Sequence, residues 1–140
     1  MTTATLGQLI DRHGIDVLDH LDREAGVPVL DGLQFQGDLA VIPAASHGRH
    51  GTDSATEVPA AGIAVIEAIG GGHEHRLLAG VPGTAAFTPS RNGGQDIGYL
   101  ETTEPAYLAH PEHGYIGIAP GVYTLRRQRE PADEERIVAD

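Results

Sequence analysis

At 140 residues the chain is long enough for one hydrophobic core, and that core must come from Ala, Val, Ile and Leu because there are no Trp, two Phe and four Tyr. The formal charge of −11 disfavours general binding to nucleic acid or to anionic membranes. The absence of cysteine excludes disulfides, Cys-ligated zinc and a thiol nucleophile.

The start of the chain leads us to expect no signal peptide. Residues 1–5, Met-Thr-Thr-Ala-Thr, lack the basic and apolar regions of a signal peptide. No apolar stretch approaches the length needed to span a bilayer. We therefore expect a soluble, cytoplasmic protein with no membrane partner, and the absence of cysteine fits a reducing compartment.

Residues 5–26 predict two short helices. Thr5 and Gln8 have the spacing of a capping box, in which each side chain accepts a hydrogen bond from the other residue's backbone N–H. The apolar stripe that follows consists of Leu6, Leu9 and Ile10. Residues 17–25 repeat the helical spacing with an acidic outer face. We assign residues 1–28 to a helical N-terminal segment.

From residue 29 onward the pattern changes to short apolar runs separated by glycine and turn residues, which is typical of strands. Residues 44–57 are small and polar and predict an exposed loop, and residues 136–140 predict a strand that closes the sheet. Residues 33–42 predict one or two strands, and the other candidate strands are 62–69, 73–78, 84–88, 97–102, 106–110, 115–118 and 122–128. This spacing predicts that residues 29–140 form a mostly β domain, a small antiparallel β-barrel or sandwich.

Two histidine pairs form a candidate metal site. Its four proposed ligands are His73, His75, His110 and His113. Residues two apart in a strand share a face, so the first pair presents two imidazoles side by side, and the second pair lies where a strand enters a turn. Imidazoles that meet across two strands suit Zn, Fe, Ni, Cu or Mn. Glu112 or Glu101 supplies a carboxylate, and Glu112 is also the candidate catalytic base.

The alternative for these histidines is a purely structural role. Eight histidines in 140 residues make close pairs common by chance, and His47 and His50 form such a pair within the predicted loop. Hydrogen-bonded or exposed surface histidines need no metal. The two candidate pairs differ from that loop pair because each is flanked by strand and glycine signals.

A basic cluster lies near the end of the chain, at Arg126, Arg127 and Arg129. In a strand Arg127 and Arg129 share one face, and guanidinium groups bind phosphate or carboxylate well. If that face meets the histidines, these two arginines hold a small anionic ligand. The alternative is internal pairing with some of the 20 acidic residues.

Several motifs together resemble a group of short, uncharacterised bacterial proteins. The matching segments are Gln36-Gly37-Asp38, Ile42-Pro43, Gly72-His73-Glu74-His75, His110-Pro111-Glu112-His113, Pro120-Gly121-Val122-Tyr123, Arg127-Gln128-Arg129-Glu130 and Val138-Ala139-Asp140. The resemblance covers about residues 34–140, leaves out the helical segment and departs at Pro131, where an aromatic residue is expected. It implies that these residues belong together, and it implies no activity.

Two functions stay open at this point. The first is a histidine-rich metal site that binds or transforms a small anionic ligand, with Glu112 as a ligand or general base. The second is a non-enzymatic interaction or assembly module within a larger complex, including a homo-oligomer, whose helical segment and loops contact protein partners. The low aromatic content favours the second, because small-molecule pockets are usually lined by apolar and aromatic side chains.

Overall fold

The computed structural model describes residues 3–18, 21–44, 55–66, 73–90 and 95–128. These residues contain the helix α1 (Leu6–His13) and the strands β1 (Val29–Leu30), β2 (Gln34–Gln36), β3 (Leu39–Pro43), β4 (Thr56–Glu57), β5 (Ile63–Ile66), β6 (His75–Ala79), β7 (Ala85–Pro89), β8 (Asp96–Thr102), β9 (Ala106–His110), β10 (Gly114–Ile118) and β11 (Gly121–Arg127). The chain is mostly β, as predicted. Most of the predicted loop at 44–57 and the predicted strand at 136–140 lie outside the described residues. In the described part of the chain, no helix has the length and apolar character needed to cross a membrane.

The helix α1 begins at the capping box that the sequence predicts. Thr5 Oγ1 accepts a hydrogen bond from the backbone N–H of Gln8, and Gln8 Oε1 accepts one from the N–H of Thr5. Gly14 then ends the helix with a left-handed φ of 77°, which glycine adopts at little cost.

The second helix, predicted at residues 17–25, is not formed in the part that the structure describes. Residues 21–26 instead form turns and bends that run back along α1. The backbone N–H groups of Leu6 and Gly7, which have no partner within the helix, donate to the carbonyl oxygens of Ala25 and Arg23. Non-local hydrogen bonds therefore replace the local helical ones.

The described strands form two sheets. One has five strands in the order β1-β10-β9-β6-β5, and the other has six in the order β2-β3-β11-β8-β7-β4. All described strand pairs are antiparallel except β1 with β10. Each sheet is open in the described part of the chain, so of the two predicted architectures, barrel or sandwich, the barrel is not confirmed.

Buried side chains connect the two sheets and the N-terminal segment. A first core cluster includes Leu39, Val41, Leu77, Leu108, Tyr123 and Leu125, so it draws on both sheets. A second cluster lies on the other face of the five-stranded sheet and includes Leu6, Leu9, Val17, Val27, Leu78, Tyr107, Ala109 and Tyr115. Successive residues of a strand point to opposite faces, so Leu77 packs in the first cluster and Leu78 in the second. All five residues of β9 are consequently buried.

Candidate functional site

Strand alternation carries His75 and His110 into the first core. His75 lies two residues before Leu77 in β6, and His110 lies two residues after Leu108 in β9. Because Leu77 and Leu108 are paired directly, the two histidines meet across the neighbouring strands at the end of this core. Their ring centroids are 4.4 Å apart, and the two residues are 2% and 5% exposed.

The other two predicted ligands join this pair. The ring centroid of His113, in the turn between β9 and β10, lies 4.5 Å from that of His110. The ring of His73 lies 5.7 Å from that of His110, although His73 precedes β6 and does not lie within it. All four predicted histidines are therefore brought together, and we call them the histidine cluster.

Two residues from the opposite sheet also contact the histidine cluster, and sequence reasoning gave neither a role. Gln36 ends β2 and Asp38 precedes β3, so both flank Gly37 in the hairpin turn. Gly37 has a φ of 60°, as expected for glycine at the first central position of a two-residue hairpin turn. The only sequence signal for these residues was the Gln36-Gly37-Asp38 motif of the resemblance.

The hydrogen bonds of Gln36 determine which nitrogen of His75 carries hydrogen. Gln36 Nε2 donates to the backbone oxygens of Leu108 and Gly114, each at 2.9 Å, so the orientation of the amide is fixed. Gln36 Oε1 then lies 2.9 Å from His75 Nδ1. Because Oε1 can only accept, His75 Nδ1 must be the donor, and the lone pair of the neutral ring is on Nε2.

That free lone pair faces a carboxylate. His75 Nε2 lies 3.1 Å from Asp38 Oδ1, while Asp38 Oδ2 accepts a hydrogen bond of 3.3 Å from Arg127 Nε. Burial lowers the pKa of His75, although the Asp38 carboxylate acts in the opposite direction. When the ring is neutral, the Nδ1–H tautomer places the Nε2 lone pair opposite the carboxylate oxygen, whereas a protonated ring would make this contact a hydrogen-bonded ion pair.

His110 has the opposite tautomer. Its Nδ1 accepts hydrogen bonds from the backbone N–H groups of Glu112 at 3.1 Å and His113 at 3.2 Å. Burial, followed by the neighbouring histidines, lowers the pKa of His110 to about 4. The neutral ring therefore carries its hydrogen on Nε2, which makes His110 a hydrogen-bond donor.

The two candidate glutamates lie in different places. Glu112 Oε1 is 3.3 Å from His73 Nε2 on the exposed side of the histidine cluster. Glu101 lies in β8 between the buried residues Leu100 and Thr102, so its side chain faces away from the core that ends at the cluster. Glu101 is thus not brought to the site.

The two described arginines of the basic cluster, Arg126 and Arg127, each contact a carboxylate. Arg127 contacts Asp38 and so lies beside the histidine cluster, whereas Arg126 donates to Asp96 at 2.7 Å. Arg129, the other predicted anion holder, lies outside the described residues, as do His47 and His50.

The donor atoms are close together but not yet arranged as a complete coordination sphere. Among the residues that the structure describes, no three His, Asp or Glu side chains are arranged to hold a metal ion. The closest pair of potential ligand atoms described above is His75 Nε2 and Asp38 Oδ1. Any ion bound at this pair must complete its coordination by side-chain rotation or by water.

Comparison with known proteins identifies the family. No curated protein and no solved structure matches the chain. A family model described as a domain of unknown function, DUF8820, matches residues 35–128. This range is more than half of the chain, and it contains the histidine cluster and the β2–β3 turn but leaves out α1. The predicted membership of a family without a known activity is confirmed: the chain belongs to the DUF8820 family.

Proposed function

We propose that this domain binds a divalent transition-metal ion through His75 and Asp38, with Zn, Fe, Ni, Cu and Mn as candidates. The proposal is carried by the 3.1 Å approach of two acceptor atoms, His75 Nε2 and Asp38 Oδ1. A cation between them would turn a repulsive contact into an attractive one. A tetrahedral ion with ligand distances of about 2.1 Å holds two ligand atoms roughly 3.4 Å apart, which is close to the observed separation.

The groups behind these two atoms support this assignment. Ligating histidines typically donate their other ring N–H to a carbonyl or carboxylate, which fixes the tautomer. Gln36 Oε1 accepts that hydrogen from His75. Arg127 binds only Oδ2 of Asp38 and so leaves Oδ1 for the ion. Both ligands are therefore held by neighbours of the kind that metal sites use.

The remaining predicted residues have secondary roles in this proposal. Taken as a sandwich, the two sheets leave the histidine cluster at one end of their shared core. The ring of His113 lies 6.5 Å from that of His75 and reaches the ion as a third ligand after side-chain rotation. The exposed pair His73 and Glu112 supplies a further ligand or a general base. His110 donates from Nε2 to whatever the ion binds, and this role replaces its predicted role as a ligand.

Zinc titration of the protein without an affinity tag tests the proposal. We expect near-stoichiometric binding by isothermal titration calorimetry. His75→Ala and Asp38→Asn should each weaken binding by about a hundredfold or more, which exceeds the usual loss for a residue outside the coordination sphere. His13→Gln is the matched control. The ring of His13 packs near those of Tyr107 and Tyr115, which belong to the second core cluster on the other face of the five-stranded sheet, so its loss should not affect zinc binding. Absent binding, or an unchanged affinity in His75→Ala, would remove the proposal.

A second candidate function, self-association, is favoured by an exposed apolar edge. Leu30, Leu33 and Phe35 are 47%, 58% and 53% exposed and follow one another along the chain. They lie on or between β1 and β2, which are end strands of the two sheets. End strands with exposed apolar side chains are common sites of pairing with another chain.

Analytical ultracentrifugation over a range of concentrations tests this second candidate. We expect the wild type to form dimers and the double variant Leu30→Asp/Leu33→Asp to remain monomeric, because charges on both faces of a new contact repel. Val81→Asp is the control, since Val81 is similarly exposed at 46% but lies in the turn between β6 and β7. A wild type that is monomeric at every concentration would rule out a second copy as the partner.

A further inference from the structure

A small cavity lies between the N-terminal segment and the five-stranded sheet. Its volume is about 200 Å³. Leu6, Leu21 and Val27 line it from the segment, and Gly114 and Tyr115 line it from β10. These side chains pack in or against the second core cluster, on the other face of the sheet from the first. The cavity is therefore considered apart from the proposed metal site.

The floor of this cavity is buried and apolar, whereas its rim is exposed. Leu6, Val27 and Tyr115 are buried in the floor, and the Tyr115 hydroxyl is used elsewhere because it donates to the backbone oxygen of Ile15 at 2.8 Å. The exposed residues of the wall form the rim, and they are Asp22, Ala25, Gly26, Pro28 and His113. A ligand in this cavity thus buries an apolar body and keeps its polar end at the rim.

The charge at the rim is negative. Among the wall residues that the structure describes, Asp22 has an acidic side chain and none is a lysine or an arginine. Asp22 Oδ1 accepts a hydrogen bond of 2.9 Å from the backbone N–H of Glu24, and this turn holds the carboxylate through a neutral group. The formal charge of −11 adds a negative potential around the whole chain. The rim therefore attracts a cation and repels an anion.

The size of the cavity fits one small apolar group. Apolar cavities of about 150 Å³ hold benzene, so a volume of about 200 Å³ accommodates a phenyl ring or a branched alkyl group. We infer that the cavity binds a small primary amine with an apolar body, whose body occupies the floor while its ammonium group pairs with Asp22 at the rim. This site goes beyond the proposed metal function and does not depend on it.

The amine site needs the N-terminal segment. Leu6, Leu21, Asp22 and Val27 lie outside the family match at residues 35–128, whereas β10 lies within it. The ligand thus contacts both the segment and the family domain. Because a ligand stabilises the state that binds it, the amine favours the docked segment.

The test follows the methyl NMR signals of Leu21 and Val27 in the full-length, metal-free protein during titration with phenethylamine, phenethyl alcohol or phenylpropionate. All three share a phenyl body and should shift these signals. The amine should bind about two- to fivefold more tightly than the alcohol, as expected for an exposed ion pair, and the carboxylate more weakly than the alcohol. Asp22→Asn, which keeps an acceptor for the N–H of Glu24, should make the amine and alcohol affinities equal. Asp31→Asn removes the same charge from an exposed residue outside the wall and should keep the difference.

Further variants show whether the ligands occupy the cavity. Ala25→Phe, which adds a ring at the rim, should weaken all three, and Leu21→Ala, which removes part of the wall, gives the same comparison should Ala25→Phe fail to fold. Signals that no ligand shifts, or ligands that bind the wall variants as tightly as the wild type, would overturn the inference. Equal amine and alcohol affinities in the wild type, or an amine preference that survives Asp22→Asn, would overturn it as well. Because no metal is added, these results are independent of the zinc titration.

Discussion

Replacement of Gln36 by Leu is expected to lower the free energy of unfolding by about 3–5 kcal/mol and zinc affinity by about ten- to hundredfold. Gln36 is 2% exposed and makes three side-chain hydrogen bonds. The substitution leaves the backbone oxygens of Leu108 and Gly114 and the Nδ1–H of His75 without partners in a buried place. Each unsatisfied buried polar group costs about 1–3 kcal/mol. Urea denaturation and zinc calorimetry measure the two effects.

Gln34→Leu is the matched control for this variant. Gln34 lies in the same strand and donates one hydrogen bond, to the backbone oxygen of Gly117 at 2.8 Å. Its loss should cost about 1 kcal/mol and leave zinc affinity unchanged. If Gln36→Leu loses stability but binds zinc as the wild type does, Gln36 is a structural residue and does not position His75.

The strands could be predicted from sequence because their signals are local. The strand β9 was predicted at its observed bounds, since apolar residues 106–109 are followed by the turn at Pro111. Residues 33–42 were predicted as one or two strands, and the structure divides them at Gly37 into the paired strands β2 and β3. Turn residues and a period of two need no information from the rest of the chain.

The second helix shows where local reasoning fails. Residues 17–25 have helical apolar spacing, but Val17 is buried against the five-stranded sheet and the backbone near Ala25 binds the start of α1. A weak helical propensity is readily overridden by such tertiary contacts. The spacing of apolar residues correctly predicted which side chains are buried, but it predicted the wrong backbone conformation.

The histidine cluster was half predictable for the same reason. His73, His75, His110 and His113 were identified because their spacing within each strand or turn is local information. Gln36 and Asp38 come from the other sheet, 39 and 37 residues before His75 along the chain. No periodic pattern connects positions that far apart, so periodicity could not show that these residues contact His75, and the Gln36-Gly37-Asp38 motif of the resemblance gave them no role.

Different hydrogen-bond partners change the chemistry expected of two adjacent buried histidines. A side-chain amide holds the hydrogen of His75 on Nδ1 and leaves the lone pair of the neutral ring on Nε2. Two backbone N–H groups occupy Nδ1 of His110 and leave its Nε2 as a hydrogen donor. From residue type alone, both histidines were predicted to be metal ligands. Their hydrogen-bond partners favour one ligand and one group that stabilises what the ligand binds.

Replacement of Gly37 by Ala is expected to cost about 1–2 kcal/mol of stability and to lower zinc affinity by about tenfold. The backbone cost arises because Gly37 has a φ of 60°, which a side chain with a Cβ rarely adopts. A Cβ at this position would also lie 2.8 Å from Nε2 of His113 and 3.5 Å from Cε1 of His75. Since 2.8 Å is shorter than real contacts allow, the ring of His113 must move away from the site that it is proposed to complete.

Gly83→Ala separates the two effects. Gly83 has a φ of 82° in the turn between β6 and β7, and a Cβ there meets no atom within 4 Å. Both variants should therefore lose similar stability in urea denaturation, whereas zinc affinity should fall only in Gly37→Ala. Equal zinc affinities would mean that the position of His113 does not matter to the ion, and His75 with Asp38 would then have to bind it with water alone. A fall in both variants would trace the loss to general destabilisation, because Gly83 lies in a different turn from the histidine cluster.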